Sequence, residues 1–571
     1  MLQLPIFYGQ HQNSPLDSVY KALHNKDLAK SVAAAVDVLR MSNNFVKIDN
    51  KGKQSQAAIE HGVEGKKAFC EGDFQLALVK YNMAIMRAPS NSEAMRLAYY
   101  SRAELLLKAK QFKACVKDVE TCLALNCPET LATKLREMRA AASQFTWLEE
   151  FAVRHAATPF TEHYFKLKGD SHPDIPCAIS DVEVIMESGQ VKIVAARDIP
   201  VGTLVALETA FVAAEHTMNH VTSCHYCLKM SFNLIPCDGC SAAFFCDKTC
   251  KEKSMREGHN IACKIMDVII DDVKLPVKAV LKIRQLCDSW EEFITASYDL
   301  GTDRMKNATI ADIFGSDKFS LLNSNYDTHF KYGALFNRSM YFANIIHYLD
   351  MKTSFFPTAP EKKKAAIDAV SRMLMHLSVY CTPVQLQYCT SMCVEGRVSL
   401  HNHPNKGYFP FMSKLAHSCV PNLYVAGLRN SAALVSVMPI KKGEELTISY
   451  SGHWLEVQPS ENRYRAKKMF IHYRTICQDC KICSEDDSLR KQSLSDEELK
   501  AYHTFTIHHP DTTTNFPQNI AIRYKDTCKI LQKLSKAPFS KEYALAFVAF
   551  LHCLMHCIEY KYPNVIMNQY E

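Results

Sequence analysis

The sequence predicts an α+β chain, helical at both ends, with two strand-rich stretches held apart by a long insertion. Three observations predict it. Small and aromatic residues recur at helical spacing from about 57 to 145. Short β-branched runs cluster near 182–208 and again near 424–450. Between those clusters, seven cysteines and one histidine fall in four regular pairs within 224–263.

The helical start is the most patterned. Gly65, Ala68, Phe69, Gly72, Asp73, Phe74, Ala77, Tyr81, Ala84, Ile85 and Pro89 follow the tetratricopeptide (TPR) pattern: small residues where two helices touch, aromatics in the seam, Pro at the end. A second unit runs from Ala98 to Pro128, with Ala103, Phe112, Val119 and Cys122 in matching places. Phe112 follows Phe74 by 38 positions, slightly long for such a repeat. Residues 129–145 read as a further helix able to cap the stack, since such pairs bury their faces only against neighbours. We therefore expect TPR-like repeats over 57–145. Residues 1–56 carry no readable pattern.

Near 180 the period changes. Val182-Glu-Val-Ile-Met, Val191-Lys-Ile-Val-Ala-Ala and Leu204-Val-Ala-Leu-Glu are strands, with a turn at Asp198-Ile-Pro-Val-Gly202. Residues 264–390 read as mainly helical. Strands return at Tyr424-Val-Ala, Ala433-Leu-Val-Ser-Val and Leu446-Thr-Ile-Ser-Tyr450, and residues 486–571 are helical again.

Composition bounds the function. The chain has 571 residues, long enough for several domains. No stretch approaches the roughly 20 apolar residues of a membrane span, and the N-terminus lacks the basic-then-apolar order of a secretory signal. A net charge of +7 over this length does not point to nucleic acid, and Lys and Arg form no dense stripe near the cysteine pairs. The 23 cysteines, with no secretory signal, suit an intracellular protein with reduced thiols, cytoplasmic, nuclear or both.

The pairs are Cys224-x2-Cys227, Cys237-x2-Cys240, Cys246-x3-Cys250 and His259-x3-Cys263. Tetrahedral Zn²⁺ takes four soft or borderline ligands, so eight ligands hold two ions. A site filled by protein ligands leaves no place for a reactive water, which indicates structure and not hydrolysis. Folding of this segment should depend on metal.

This order resembles the MYND zinc finger. The resemblance implies interleaved pairs: Cys224, Cys227, Cys246 and Cys250 on one ion; Cys237, Cys240, His259 and Cys263 on the other. It also implies protein or peptide partners. Around the finger, Val194-Ala-Ala-Arg-Asp-Ile-Pro-Val-Gly202, Gly407-Tyr-Phe-Pro410, Leu415-Ala-His-Ser-Cys-Val-Pro-Asn422 and Gly443-Glu-Glu-Leu-Thr-Ile-Ser-Tyr450 are similar to the SET domain of lysine methyltransferases. A finger set between SET halves resembles the SET and MYND domain-containing (SMYD) family, and the helical repeats ahead of it point to that family's TPR-bearing branch. The implied layout is a SET N-terminal half at 181–215, the MYND finger at 224–263, a helical insertion at 264–390, a SET C-terminal half at 391–451, a post-SET zinc segment at 463–485 and a helical region at 486–571.

The resemblance implies S-adenosylmethionine as cofactor and a lysine of a protein as substrate. It places Tyr450 and Tyr473 as the catalytic tyrosines, and Lys192, Ala416, His417 and Tyr450 at the cofactor. Cys419, Cys477, Cys480 and Cys483 would bind a third Zn²⁺, with one residue more between the first two post-SET cysteines than the family pattern has. Four positions depart from that pattern. Gln190-Val191-Lys192 replaces a Gly-x-Gly turn that lets backbone approach the cofactor. Ala416 replaces an Asn, Thr390 aligns with another Asn, and Thr475 stands where an aromatic stacks. Two readings follow: a lysine methyltransferase, its activity weakened by the altered pocket, or an inactive zinc-stabilised interaction scaffold.

Overall fold

A glycine at residue 65 is what lets the first helical hairpin close. A Cβ there would lie 2.6 Å from the Tyr81 ring, inside van der Waals contact, so only glycine admits the buried tyrosine. The computed structural model describes residues 16–48, 52–146, 166–167, 169–187, 190–300, 308–314, 318–323, 332–381, 383–386, 391–394, 397–400, 405–450, 492–509 and 520–557. Within them, α3 (Ser55–Cys70) packs on α4 (Phe74–Arg87), α4 on α5 (Glu93–Lys108), α5 on α6 (Phe112–Leu123), and α6 on α7 (Glu129–Ser143). Asp73 caps α4 by accepting the Leu76 N–H at 2.9 Å. Ala77, Tyr81, Ala84 and Ile85, all picked out by the helical spacing, are buried.

Two helices ahead of these have no counterpart in the sequence reading. Here α1 (Asp17–His24) and α2 (Leu28–Ser42) dock on the distant helices Tyr332–Lys352 and Pro360–Tyr380. Ser31 and Ser339 share a hydroxyl hydrogen bond of 2.8 Å, and the Asn344 side chain accepts the Val46 N–H at 2.8 Å. Val32, Ala35, Val38 and Leu39 form the buried stripe of α2.

The strands form several small sheets. A hairpin pairs β1 (Val182–Glu187) with β2 (Gln190–Ala195). A second sheet has β3 (Leu204–Thr209) beside β13 (Ser431–Ser436), which pairs with β12 (Leu423–Leu428). A third joins β4 (Val212–Ala214), β10 (Asn405–Tyr408) and β7 (Val384–Leu386), all antiparallel. The other hairpins are β5 (Ile235–Pro236) with β6 (Phe244–Phe245), and β8 (Ser391–Val394) with β9 (Arg397–Leu400). The parallel pair is β11 (Ala416–His417) with β14 (Thr447–Ile448). Chain from before and after the insertion thus meets side by side at β3 and β13.

Alternation along β13 shows how both faces are covered. Ala432 and Leu434 face a core with Ile193, Phe409 and Phe411. Ala433 and Val435 face the C-terminal helices Ile520–Leu534 and Lys541–Cys557, beside Tyr543, Phe547 and Phe550. Tyr543 donates to the Val437 carbonyl at 3.1 Å, and Tyr524 to the Gly202 carbonyl at 3.1 Å. The insertion holds the expected helices, including Asp271–Leu286 and Trp290–Tyr298, although 384–386, read as helical, is strand β7. No described helix is long and apolar enough to cross a membrane.

Candidate metal centre and a strand-crossing site

The finger is a short hairpin, β5–β6, followed by the helix Lys248–Ser254. Asp247 caps that helix by accepting the Cys250 N–H at 2.7 Å, which fixes Cys246 and Cys250 on one side. Gly239 lies against the second ligand set: a Cβ there would be 2.7 Å from the Cys263 sulfur. Two groups result, Cys224 with Cys227, Cys246 and Cys250, and Cys237 with Cys240, His259 and Cys263. Within each, the ligand atoms all lie within 4.8 Å of one another.

The spacing of the sulfurs tests whether zinc fits. Cys227 and Cys246 are 3.6 Å apart, Cys246 and Cys250 3.5 Å, and Cys237 and Cys263 3.6 Å. The edge of a Zn–thiolate tetrahedron is roughly 3.8 Å. A disulfide would need about 2 Å, and the described cysteines are free thiols. His259 turns Nε2 to Cys237 at 3.4 Å and Cys240 at 3.7 Å, so that nitrogen is the ligand atom. Both sets fit Zn²⁺, in the interleaved order.

The finger is buried by the N-terminal helices. Arg102 of α5, 1% exposed, forms a two-pronged ion pair with Asp118 of α6 at 2.6 and 2.8 Å. It also donates to Asn82 at 2.7 Å and reaches the finger's Leu234 carbonyl at 3.4 Å. Asn82 donates to the Val221 carbonyl, and the finger's Asn233 donates to Asp118, each at 2.8 Å. Phe244, Phe245, Cys224 and Cys237 share one apolar core with Ala84, Met95, Leu106 and Cys115.

The second candidate site lies where three chain segments cross. Ala195 donates to the Glu444 carbonyl at 2.9 Å and Leu446 to the Ile193 carbonyl at 2.8 Å, so β2 runs beside the start of β14. Asn422 clamps the crossing: its Nδ2 donates to the Glu445 carbonyl at 2.9 Å and its Oδ1 accepts the Thr447 N–H at 2.9 Å. Tyr450 then folds back on β11. Its hydroxyl donates to the Leu415 carbonyl at 2.6 Å, and its N–H donates to Nδ1 of His417 at 3.2 Å. The two rings lie 5.1 Å apart. Cys419 is 3.4 Å from Nε2 of His417.

The structure therefore brings Ala416, His417, Cys419 and Tyr450 together. Lys192 is exposed on β2, opposite Ile185, and among the described residues no hydrogen bond joins it to them. Its bulk, at the glycine-turn position, lies outside the packed core. Ala416 is half-buried and offers backbone but no side-chain amide. Tyr473, Cys477, Cys480, Cys483, Thr390 and Thr475 lie outside the described residues. Asn422 and the Leu415 carbonyl were missed as site-builders; the Pro-Asn that ends the His-Ser-Cys stretch was the available signal.

A SET domain is matched over residues 190–451, which encloses the finger. Among curated proteins, the chain is 24% identical to a "Protein-lysine N-methyltransferase SMYD4" of Pongo abelii and 23% identical to that of Homo sapiens. Each match covers 75% of this chain and 67% of the relative. A SET and MYND domain-containing protein of Dictyostelium discoideum is 22% identical over 50% of this chain and 78% of its own length. The chain carries a SET domain and is similar to SET and MYND domain-containing proteins. The chain spans about two thirds of the length of the first two relatives. In this chain the finger interrupts the SET strands after β4, and the helical insertion follows it.

Proposed function

We propose that the chain is a SMYD-type protein-lysine N-methyltransferase that uses S-adenosylmethionine. The observation that carries this reading is the Tyr450–Leu415–His417 arrangement at the crossing of β11 and β14. S-adenosylmethionine, when bound, supplies a methyl on a positively charged sulfur. The lysine must attack as a neutral amine; the new N–C bond forms as the C–S bond breaks, and the excess proton leaves to solvent. Tyr450 donates its proton to the Leu415 carbonyl, and a phenol oxygen that donates can still accept, here from the amine. That orients the amine without adding charge. Partial burial of the cleft disfavours the ammonium form. Ala416, His417 and Lys192 line the cofactor side in this reading, and Tyr473 the lysine channel. Cys419 with Cys477, Cys480 and Cys483 forms a third zinc site.

The missing amide at Ala416 removes a hydrogen bond worth about 1 kcal/mol. The four departures together weaken cofactor binding by roughly two to three powers of ten if they act independently. Calorimetric titration tests the reading. Micromolar heat with S-adenosylmethionine supports the enzyme; no heat at millimolar cofactor removes it.

One observation favours a second reading, an interaction scaffold: the finger shares an apolar core with the TPR-like helices and hydrogen-bonds to their buried Arg102–Asp118 pair. In either reading the partners are proteins or peptides, met in the cytoplasm, the nucleus or both.

A further inference from the structure

The segment that delivers Ala416 and His417 begins at a single helical turn, Met412–Lys414. The first amides of such a turn have no partner within it. Both are taken by one side chain from far away in sequence. Glu208 of β3 accepts the Phe411 N–H at 2.8 Å on one oxygen and the Met412 N–H at 2.9 Å on the other. Glu208 is 6% exposed. Downstream of this turn come the Leu415 carbonyl that receives the Tyr450 hydroxyl, then β11 against β14.

The charges around Glu208 are few. Lys414, on the same turn, is 5% exposed, and its ammonium makes no direct hydrogen bond among the described residues. Burial lowers its pKa against the attraction of Glu208, and the nearby Cys381, which burial pushes up to about 12, stays a neutral thiol. Cys177 is also near enough to feel the Glu208 charge, and burial keeps it a protonated thiol. Burial raises Glu208 to about 7, against the pull of the two amides and Lys414. An ionised carboxylate serves both amides; a protonated one leaves one amide facing a hydroxyl.

We propose that Glu208 is a positioning residue for the cleft: its carboxylate, with Lys414 as countercharge, holds residues 411–417 in register with Tyr450. Its effect on cofactor rests on the methyltransferase reading; its effect on the segment does not.

Hydrogen exchange read by mass spectrometry on the full-length zinc-loaded chain tests it. Protection of peptides spanning 405–418 is compared at pH 6, 7 and 8, after correction for intrinsic rates. In the unaltered chain, protection falls as pH rises through about 7, because the closed segment holds the Glu208 proton more tightly than the open one. Glu208→Gln presents one acceptor oxygen to the two amides, so it lowers protection by about fivefold or more and flattens the pH profile. Lys414→Met moves the midpoint upward by about one pH unit, since loss of the countercharge favours the acid form. Peptides from 224–263 serve as the folding control. An unchanged profile in Glu208→Gln, or an unmoved midpoint in Lys414→Met, overturns the proposal. A global loss of protection in Glu208→Gln leaves the decision to the unaltered chain and Lys414→Met. S-adenosylmethionine titration separates the two readings. Glu208→Gln weakens affinity about tenfold if both hold. An unaltered chain without affinity removes the enzyme, and the exchange data still judge Glu208.

Discussion

Tyr450 sits where one hydroxyl decides two things, the orientation of its own ring and the direction of its lone pairs. Tyr450→Phe deletes the 2.6 Å bond to Leu415 and the oxygen together. Methylation should fall at least about tenfold while melting changes little, because a net hydrogen bond is worth about 1 kcal/mol. Unchanged turnover would take Tyr450 out of the reaction. Ala416→Asn makes the opposite change. Restoring the amide should tighten S-adenosylmethionine about five- to tenfold, read by calorimetry; equal affinity would mean the side chain faces elsewhere. Glu208 carries a pH signature as well. Its acidity is weakened in the folded chain, to about 7 from an ordinary 4.5. The folded state therefore holds the proton more tightly than the unfolded one. That contribution is fully present below the unfolded value and lost as pH rises through about 7. Denaturation midpoints between pH 5.5 and 8 should fall less steeply in Glu208→Gln than in the unaltered chain. Parallel slopes would show that Glu208 titrates elsewhere.

At the level of elements, the joint between α5–α6 and the finger is the most consequential contact. Arg102 and Asp118 are each about 1% exposed, and the finger's Leu234 and Asn233 complete their hydrogen bonding. Arg102→Leu leaves Asp118 charged and buried. It should cost about 3–5 kcal/mol in stability by chemical denaturation. A loss below about 1 kcal/mol would mean that water reaches the site. Much of the element pattern was legible beforehand. The four ligand pairs were visible because their spacing is local and few other residues bind soft metals. The β runs were visible through alternation, and α3 to α6 through small residues at helical intervals. Glu208 and Arg102 were not visible, because what defines them is a partner 203 and 132 positions away. The interleaving of the zinc ligands came from family resemblance, and the structure gathers the same eight side chains into those two groups.

Across the whole molecule, the N-terminal reading was the poorest. Residues 16–48 carry an alanine- and valine-rich stripe with helical spacing, but nothing local says that it docks on helices some 300 positions later. Zinc ties the remaining regions together. Metal analysis of the full chain should return at least two Zn²⁺ from the finger. A third ion, lost on Cys419→Ser, would establish the post-SET site. Chelation should open not only the finger but also residues 55–146, which share its core. Limited proteolysis reads this directly: cuts confined to 224–263 after metal removal would show that the helices stand alone.

That shared core sets an order of events during synthesis. The α3–α6 segment leaves the ribosome more than a hundred residues before Leu234 and Asn233. Until the finger emerges and captures its metal, the Arg102–Asp118 pair lacks the groups that seal it. A nascent chain short of zinc should thus leave the apolar face of these helices uncovered, and soluble yield should fall when zinc is withheld during expression.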